Sequence, residues 1–190
     1  MRWPRASGWT CRRWPERRSV SAQALQGIEL RPAGPDDAEA IHALILALAK
    51  DVGCEDRVSS APADFRRHGR GPAPGFEALL AERDGVPLGL CLYFFSFSSW
   101  RGERGVYVQD IWVDPAVRGS GLARRLIEAT ARRAAAQGAR YLRLSVDREN
   151  QAARSFYDRL GLEYGARECI YMASGAAFEA LAGADTAPAG

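Results

Sequence analysis

Polar and apolar positions recur along this chain with two periods, and the switches between them mark out its elements. Residues 28–33 alternate as a strand. Residues 35–50 then read as a helix, with Ala38, Ile41, Leu44, Ile45 and Leu48 on one stripe and Pro35 where a first helical turn tolerates it. The runs 76–82 and 88–97 are rich in β-formers, and Asp84-Gly85 between them is a strong hairpin signal. A second break, 98–105, leads into an apolar strand pattern at 106–113. A helix is predicted over 121–137, a strand over 141–146, a helix over 150–160 stopped by Gly161, and a last strand over 167–173. The order β-α-α-β-β-β-α-β-α-β predicts an α/β fold built on a mixed sheet with helices on both faces.

Between the strand at 106–113 and the helix that follows stands Arg118-Gly119-Ser120-Gly121-Leu122-Ala123. A strand, a tight glycine turn and a helix start together expose unpaired N–H groups at the positive end of a helix dipole, a backbone site for phosphate or pyrophosphate. The glycines let the main chain approach such a ligand with no side chain in the way. A P-loop would continue with Gly-Lys-Ser/Thr, whereas Gly121 is followed by Leu122 and Ala123. A dinucleotide fingerprint would need Gly or Ala where Arg124 stands and an acidic residue roughly 20 positions on, near Arg140. The pattern left, Arg-x-x-Gly-x-Ala after Val113-Asp114-Pro115, resembles the coenzyme A pyrophosphate loop of the GCN5-related N-acetyltransferase (GNAT) superfamily.

The resemblance extends over about residues 27–182 and is closest to the spermidine/spermine and thialysine acetyltransferase branch. It is carried by Leu30-Arg31-Pro32-Ala33, by Leu48-Ala49-Lys50, and by the aromatic run Tyr93-Phe94-Phe95-Ser96-Phe97 with Trp100-Arg101-Gly102 after it. The stretch 106–115 with its loop, and Asn150 with Ser155-Phe156-Tyr157 before Gly161, complete it. What it implies is a GNAT acyl-CoA N-acyltransferase fold with a splayed parallel strand pair, and transfer of the acetyl group of acetyl-CoA to a primary amine. The acceptor would be a polyamine-, lysine- or amino-acid-like small molecule. Protein N-termini, aminoglycosides and a coenzyme-binding regulator without catalysis stay as alternatives. No metal is implied, and a homodimer is, with the last strand and the segment 178–181 as candidate interface.

Site residues follow from the same likeness. The segment Arg118 to Ala123 would take the pyrophosphate, with Arg118 shaping the loop. Backbone groups of Ile111, Trp112 and Val113 would pair with the pantetheine arm as with an added strand. Asn150 either caps the helix it opens or bonds the pantetheine arm. Tyr157, two helical turns on and so on the same face, would protonate the departing thiolate. Gln109 stands where polyamine-type relatives often carry a glutamate, and an amide cannot act as a base. Asp110 is the nearest carboxylate; in an undistorted strand it points away from the face of Gln109, and a bulge would re-aim it. Asp110 is therefore the candidate for binding the ammonium or starting its deprotonation, with Gln109 orienting a water or a polar group; the alternative is an Asp paired with a nearby Arg. Asp51, Glu55 and Asp56 form an acidic group able to attract a cationic amine or simply to face solvent. Tyr93, Phe95, Phe97 and Trp100 either line an apolar wall or pack the sheet.

Composition changes the picture at the ends. Residues 1–26 hold six arginines against Glu16, a charge of +5 in a chain whose total is +3, so the basic balance belongs to this extension and not to a nucleic-acid-binding face. Without an apolar core it is not a secretory signal; disorder or an over-extended start is favoured over a transit peptide or basic arm. Residues 27–182 form the expected domain and 183–190 a loose tail. Cys11, Cys54, Cys91 and Cys169 share no metal or redox spacing, and Cys91, inside an apolar strand, reads as core. No run reaches the roughly 18 apolar residues of a membrane span. Lys50 is the sole lysine, an arginine bias that points to a GC-rich, bacterial genome and a cytoplasmic setting.

Overall fold

The computed structural model describes residues 22–69, 71–166 and 168–183. Its five-stranded sheet runs in the order β1 (Glu29–Pro32), β2 (Glu77–Arg83), β3 (Val86–Ser98), β4 (Glu103–Val113), β5 (Tyr141–Leu144). The first three junctions are antiparallel, and β4 and β5 are parallel. Two buried layers sandwich the sheet. On one side α3 (Leu122–Ala136) sets Leu122, Leu126, Ile127 and Ala134 against Leu79, Ala81, Cys91, Val106 and Val108. On the other, α1 (Ala38–Val52) sets Ile41 and Leu44 against Ala78, Leu80, Leu90 and Trp112, with Phe65 of α2 (Pro62–His68) beside them. The two sets alternate along β2 and β3, the period-two pattern of strands buried on both faces.

Local chemistry fixes where these elements start and stop. Arg31 clamps the entry to α1 by bonding both carboxylate oxygens of Asp37, at 2.7 and 2.6 Å, and both of Glu82. Helix α1 ends on Gly53 in the left-handed region (φ 68°), where Cys54 N reaches Ala49 O at 2.9 Å and Gly53 N reaches Lys50 O at 3.1 Å, a Schellman close. The β2–β3 turn is the Asp84-Gly85 pair, with φ of 51° and 75°, and Arg83 pairs directly with Val86.

The last predicted strand does not form. Of its residues, 167 lies outside those described, and 168–173 carry no regular structure; Ile170, Tyr171 and Met172 are exposed. β-formers make a strand only when a neighbour completes the ladder, and nothing among the described residues pairs with this run. The last element among the described residues is instead α5 (Ala176–Ala182). Of the basic extension, residues 1–21 lie outside those described. Residues 22–25 form one 3-10 turn, and Arg83 donates to Ala24 O and, at 3.2 Å, to Gln26 O. In the C-terminal tail, 184–190 lie outside the described residues.

Candidate active site

Where β4 and β5 stop pairing, the molecule opens. Their ladder runs from Gly105↔Tyr141 to Val108↔Leu144 and no further. The predicted strand over 141–146 accordingly ends at Leu144, and beyond it residues 109–113 of β4 face open space. The resulting cleft has a volume of about 1330 Å³. Its walls are β4 from Val108 to Val113, the turn into α3, residues 144–147 after β5, and α4 (Gln151–Arg159), with Leu48 and Val52 of α1 at one side. It contains the residues expected to bind the donor or act on it except Ser120, whose hydroxyl turns inward to donate to Val117 O at 2.6 Å; the acidic group Asp51, Glu55 and Asp56 and the aromatic residues expected near the acceptor lie outside it.

The loop end of the cleft suits an anion. Gly119 and Gly121 have φ of 80° and 94°, angles that strain any residue with a Cβ. A Cβ on Gly121 would meet no protein atom within 4 Å, so the glycine keeps open a space that the protein itself does not fill. No side chain caps α3 at Gly121, and the first-turn N–H groups of the helix lack intrahelical acceptors. Arg118 shapes the turn: its Nε donates to Val113 O at 2.8 Å and its guanidinium pairs with Asp51. Asp51 also accepts from Trp112 Nε1 at 2.6 Å. That carboxylate is thus committed to Arg118 and Trp112, and it leaves the acidic group expected for a cationic substrate. Helical spacing had the signal, since Asp51 lies three residues beyond Leu48 on the inward stripe of α1.

Along β4 the backbone alternates. Asp114 N donates to Leu88 O on β3 at 2.9 Å, which turns the N–H and C=O of Trp112 toward β3 and those of Ile111 and Val113 toward the open edge. Ile111 and Val113 can therefore pair with an extended ligand arm, and Trp112 serves the site through its indole. Val113 O is already engaged by Arg118.

Gln109 is the extra residue of a bulge. Leu92 pairs with Asp110 and Tyr93 with Val108, leaving Gln109 without a partner on β3. Asp110 keeps the regular alternation of the strand, on the face of Leu92 and Trp112 toward α1, and is not re-aimed by the bulge, which leaves Gln109 exposed. Burial pushes the Asp110 carboxyl up to about 6. Among the described residues no arginine forms the ion pair with Asp110 that the sequence left open.

Across the cleft, Asn150 caps α4: its Oδ1 accepts from Ala153 N at 3.0 Å. Tyr157 lies two turns on, its ring against Phe156, and burial, with the Cys91 thiol nearby, pushes its hydroxyl up to about 12. Cys91 is core: fully buried, it accepts from Thr130 Oγ1 at 3.2 Å, and burial pushes its thiol up to about 12. Such a thiol stays protonated and is no nucleophile. The aromatic run of β3 does not line the cleft. Tyr93 is buried, donating to Glu77 at 2.9 Å and accepting from Arg133 at 3.3 Å; Phe95 packs on the α3 layer; Phe97 and Trp100 are exposed.

A splayed strand edge with uncapped helix N–H groups at one end, and Asp110 and Tyr157 among its lining residues, characterises this cleft. Residues 46–162 match the Acetyltransferase (GNAT) family, and the chain belongs to that family of acetyl-transferring enzymes, whose acetyl donor is acetyl-CoA. It is 35% identical over 144 residues to the thialysine N-epsilon-acetyltransferase of Bos taurus, covering 72% of this chain and 84% of that one. With the protein of the same description from Mus musculus it shares 32% over 147 residues, 73% of this chain and 86% of that one. Among solved structures, an aminoglycoside N-acetyltransferase in complex with CoA has the same fold at 22% identity, TM-score 0.62, covering 77% of this chain and 94% of that one. An integron cassette protein of V. cholerae matches with TM-score 0.69 at 18% identity, over 83% of this chain and 98% of the other.

Proposed function

We propose that this enzyme acetylates the primary amine of a small, lysine-, polyamine- or amino-acid-like molecule, with Asp110 receiving the amine and Tyr157 releasing the thiol. The observation that supports it is the placement of Asp110 and Tyr157 in one cleft whose far end is the Gly119–Gly121 turn. The substrate amine enters as an ammonium and pairs with the ionised Asp110, which takes a proton directly or through a water held by Gln109. The neutral nitrogen attacks the thioester carbonyl carbon, the N–C bond forms, and the C–S bond breaks with its electron pair leaving on sulfur. Tyr157, protonated throughout the physiological range, gives its proton to that thiolate, and the second proton shed by the nitrogen as the amide forms returns the phenolate to the phenol through solvent. The similarity to thialysine acetyltransferases favours an amine on a flexible, lysine-like chain. We further infer a homodimer formed through the C-terminal segment, where Ile170, Tyr171, Met172, Phe178 and Leu181 are exposed together.

The deciding experiment measures free thiol released from acetyl-CoA against a panel of lysine analogues, polyamines, amino acids and aminoglycosides. Release that depends on a small primary amine and is lost in Tyr157→Phe supports the proposal. Turnover with aminoglycosides alone would overturn the substrate class, and tight acetyl-CoA binding without amine-dependent release would overturn the mechanism.

A further inference from the structure

Asp51 ends the inward face of α1, yet its side chain serves neither the helix nor the core. Its Oδ2 accepts from Trp112 Nε1 at 2.6 Å and pairs with the guanidinium of Arg118. The group is well sheltered, with 22% of the Asp51 side chain and 16% of the Arg118 side chain exposed, so the pair is weakly screened by solvent. Arg118 in turn stands at the entrance of the Gly119–Gly121 turn, holds Val113 O at 2.8 Å, and lies over the Trp112 ring with its Cζ 6.0 Å from the centroid. One carboxylate therefore ties three pieces of the cleft together: the end of α1, the open edge of β4 and the start of the anion-binding turn.

We propose that Asp51 is a positioning residue for the diphosphate of the acetyl donor, acting through Arg118; this rests on the reading of the cleft as the acetyl-CoA site. With Asp51 in place, the guanidinium is locked by a directional bond, the turn that follows has one conformation, and its N–H groups are preorganised before ligand arrives. Without the carboxylate, Arg118 is drawn toward the incoming phosphates and leaves Val113 O, so the turn must be ordered at the time of binding. Asp110 shares β4 with Trp112, whose indole bond the conservative variant below keeps, and Tyr157 stands on α4, so the chemistry is spared by loss of the charge alone.

Asp51→Asn tests this because the amide oxygen still accepts from the indole while the charge is gone. KM and Kd for acetyl-CoA should rise roughly tenfold, the range of one hydrogen bond to a charged group, with kcat and the KM for amine within about twofold. With acetyl-pantetheine, which carries the thioester arm and no diphosphate, the loss in kcat/KM should shrink to below about twofold, whereas a general structural defect would lower turnover with both donors alike. The double variant Asp51→Asn with Arg118→Gln should be no worse than Arg118→Gln alone. Unchanged acetyl-CoA affinity in Asp51→Asn, equal losses with the two donors, or additive effects with Arg118→Gln would each overturn the positioning role. A wild-type chain that fails to bind acetyl-CoA in direct titration would instead overturn the reading of the cleft, and the positioning role with it.

Discussion

Gly105 lies directly beneath the ring of Tyr141: a Cβ built on the glycine would sit 2.2 Å from the tyrosine Cζ. The contact falls at the first pair of the β4–β5 ladder, the closed end of the strand pair that opens into the active-site cleft. Tyr141 is held there by a bond between its hydroxyl and Ser96 Oγ at 3.2 Å, so it cannot step aside freely. Gly105→Ala should destabilise the fold by about 2 kcal/mol or more, the scale of overpacking in a closed site. Adding Tyr141→Ala should restore part of that loss, and thermal melting of the single and double variants checks both.

Burial makes Asp110 a titrating group in the working range. Its carboxyl, pushed up to about 6 by burial, is protonated below that pH and unable to receive an amine proton. Amine-dependent kcat/KM should therefore rise through about pH 6, and Asp110→Asn should lose that limb together with most of the activity. The linked stability has the opposite sense. A carboxyl whose folded pKa lies above its unfolded value near 3.9 stabilises the fold fully at low pH, and that contribution is lost as pH rises from about 4 to about 6. At pH 7 Asp110→Asn should thus be more stable than wild type, by at most about 3 kcal/mol given the partial exposure of the site. Urea unfolding at pH 4 and pH 7 would show the wild type losing more stability than the variant between the two.

The elements that announced themselves in the sequence are those whose cause is local. The stripe from Ala38 to Leu48, the Asp84-Gly85 turn and the glycines at 119 and 121 each follow from residues within a few positions of one another, and each stands where expected. What stayed hidden depends on partners distant in the chain. The bulge exists because β4 has one residue more than β3 between Asp110 and Val108, a mismatch invisible in β4 alone. Asp51 finds Trp112 and Arg118 across 61 and 67 positions. The run at 168–173 has strand composition and lacks a ladder to join, which composition cannot report.

Tyr157 carries its hydroxyl proton across the working range, the state its proposed role as proton donor requires. Its hydroxyl, pushed up to about 12, stays protonated through any assay a protein of this kind survives. Tyr157→Phe should lower kcat by at least about tenfold and leave the Kd of acetyl-CoA within about twofold, since the ring and its contact with Phe156 are kept. The pH profile should show no basic limb attributable to Tyr157 below about pH 10, because its proton is retained well beyond that point. Stopped-flow measurement of thiol release, with acetyl-CoA binding followed separately by calorimetry, separates the two effects.

The exposed C-terminal side chains carry the last expectation. Tyr171 is 94% exposed and Ile170 and Met172 nearly as open, in a run whose β-formers lack a partner among the described residues. An exposed run of adjacent apolar residues marks a candidate interaction segment, and a second copy offers a segment of identical pattern with which to pair. Light scattering on the full chain should report twice the monomer mass of 20.8 kDa. Replacing Ile170 and Met172 by serine should shift the mass to that of the monomer. A full chain already monomeric at micromolar concentration would remove the homodimer, while a dimer indifferent to the double substitution would keep the assembly and move its interface elsewhere.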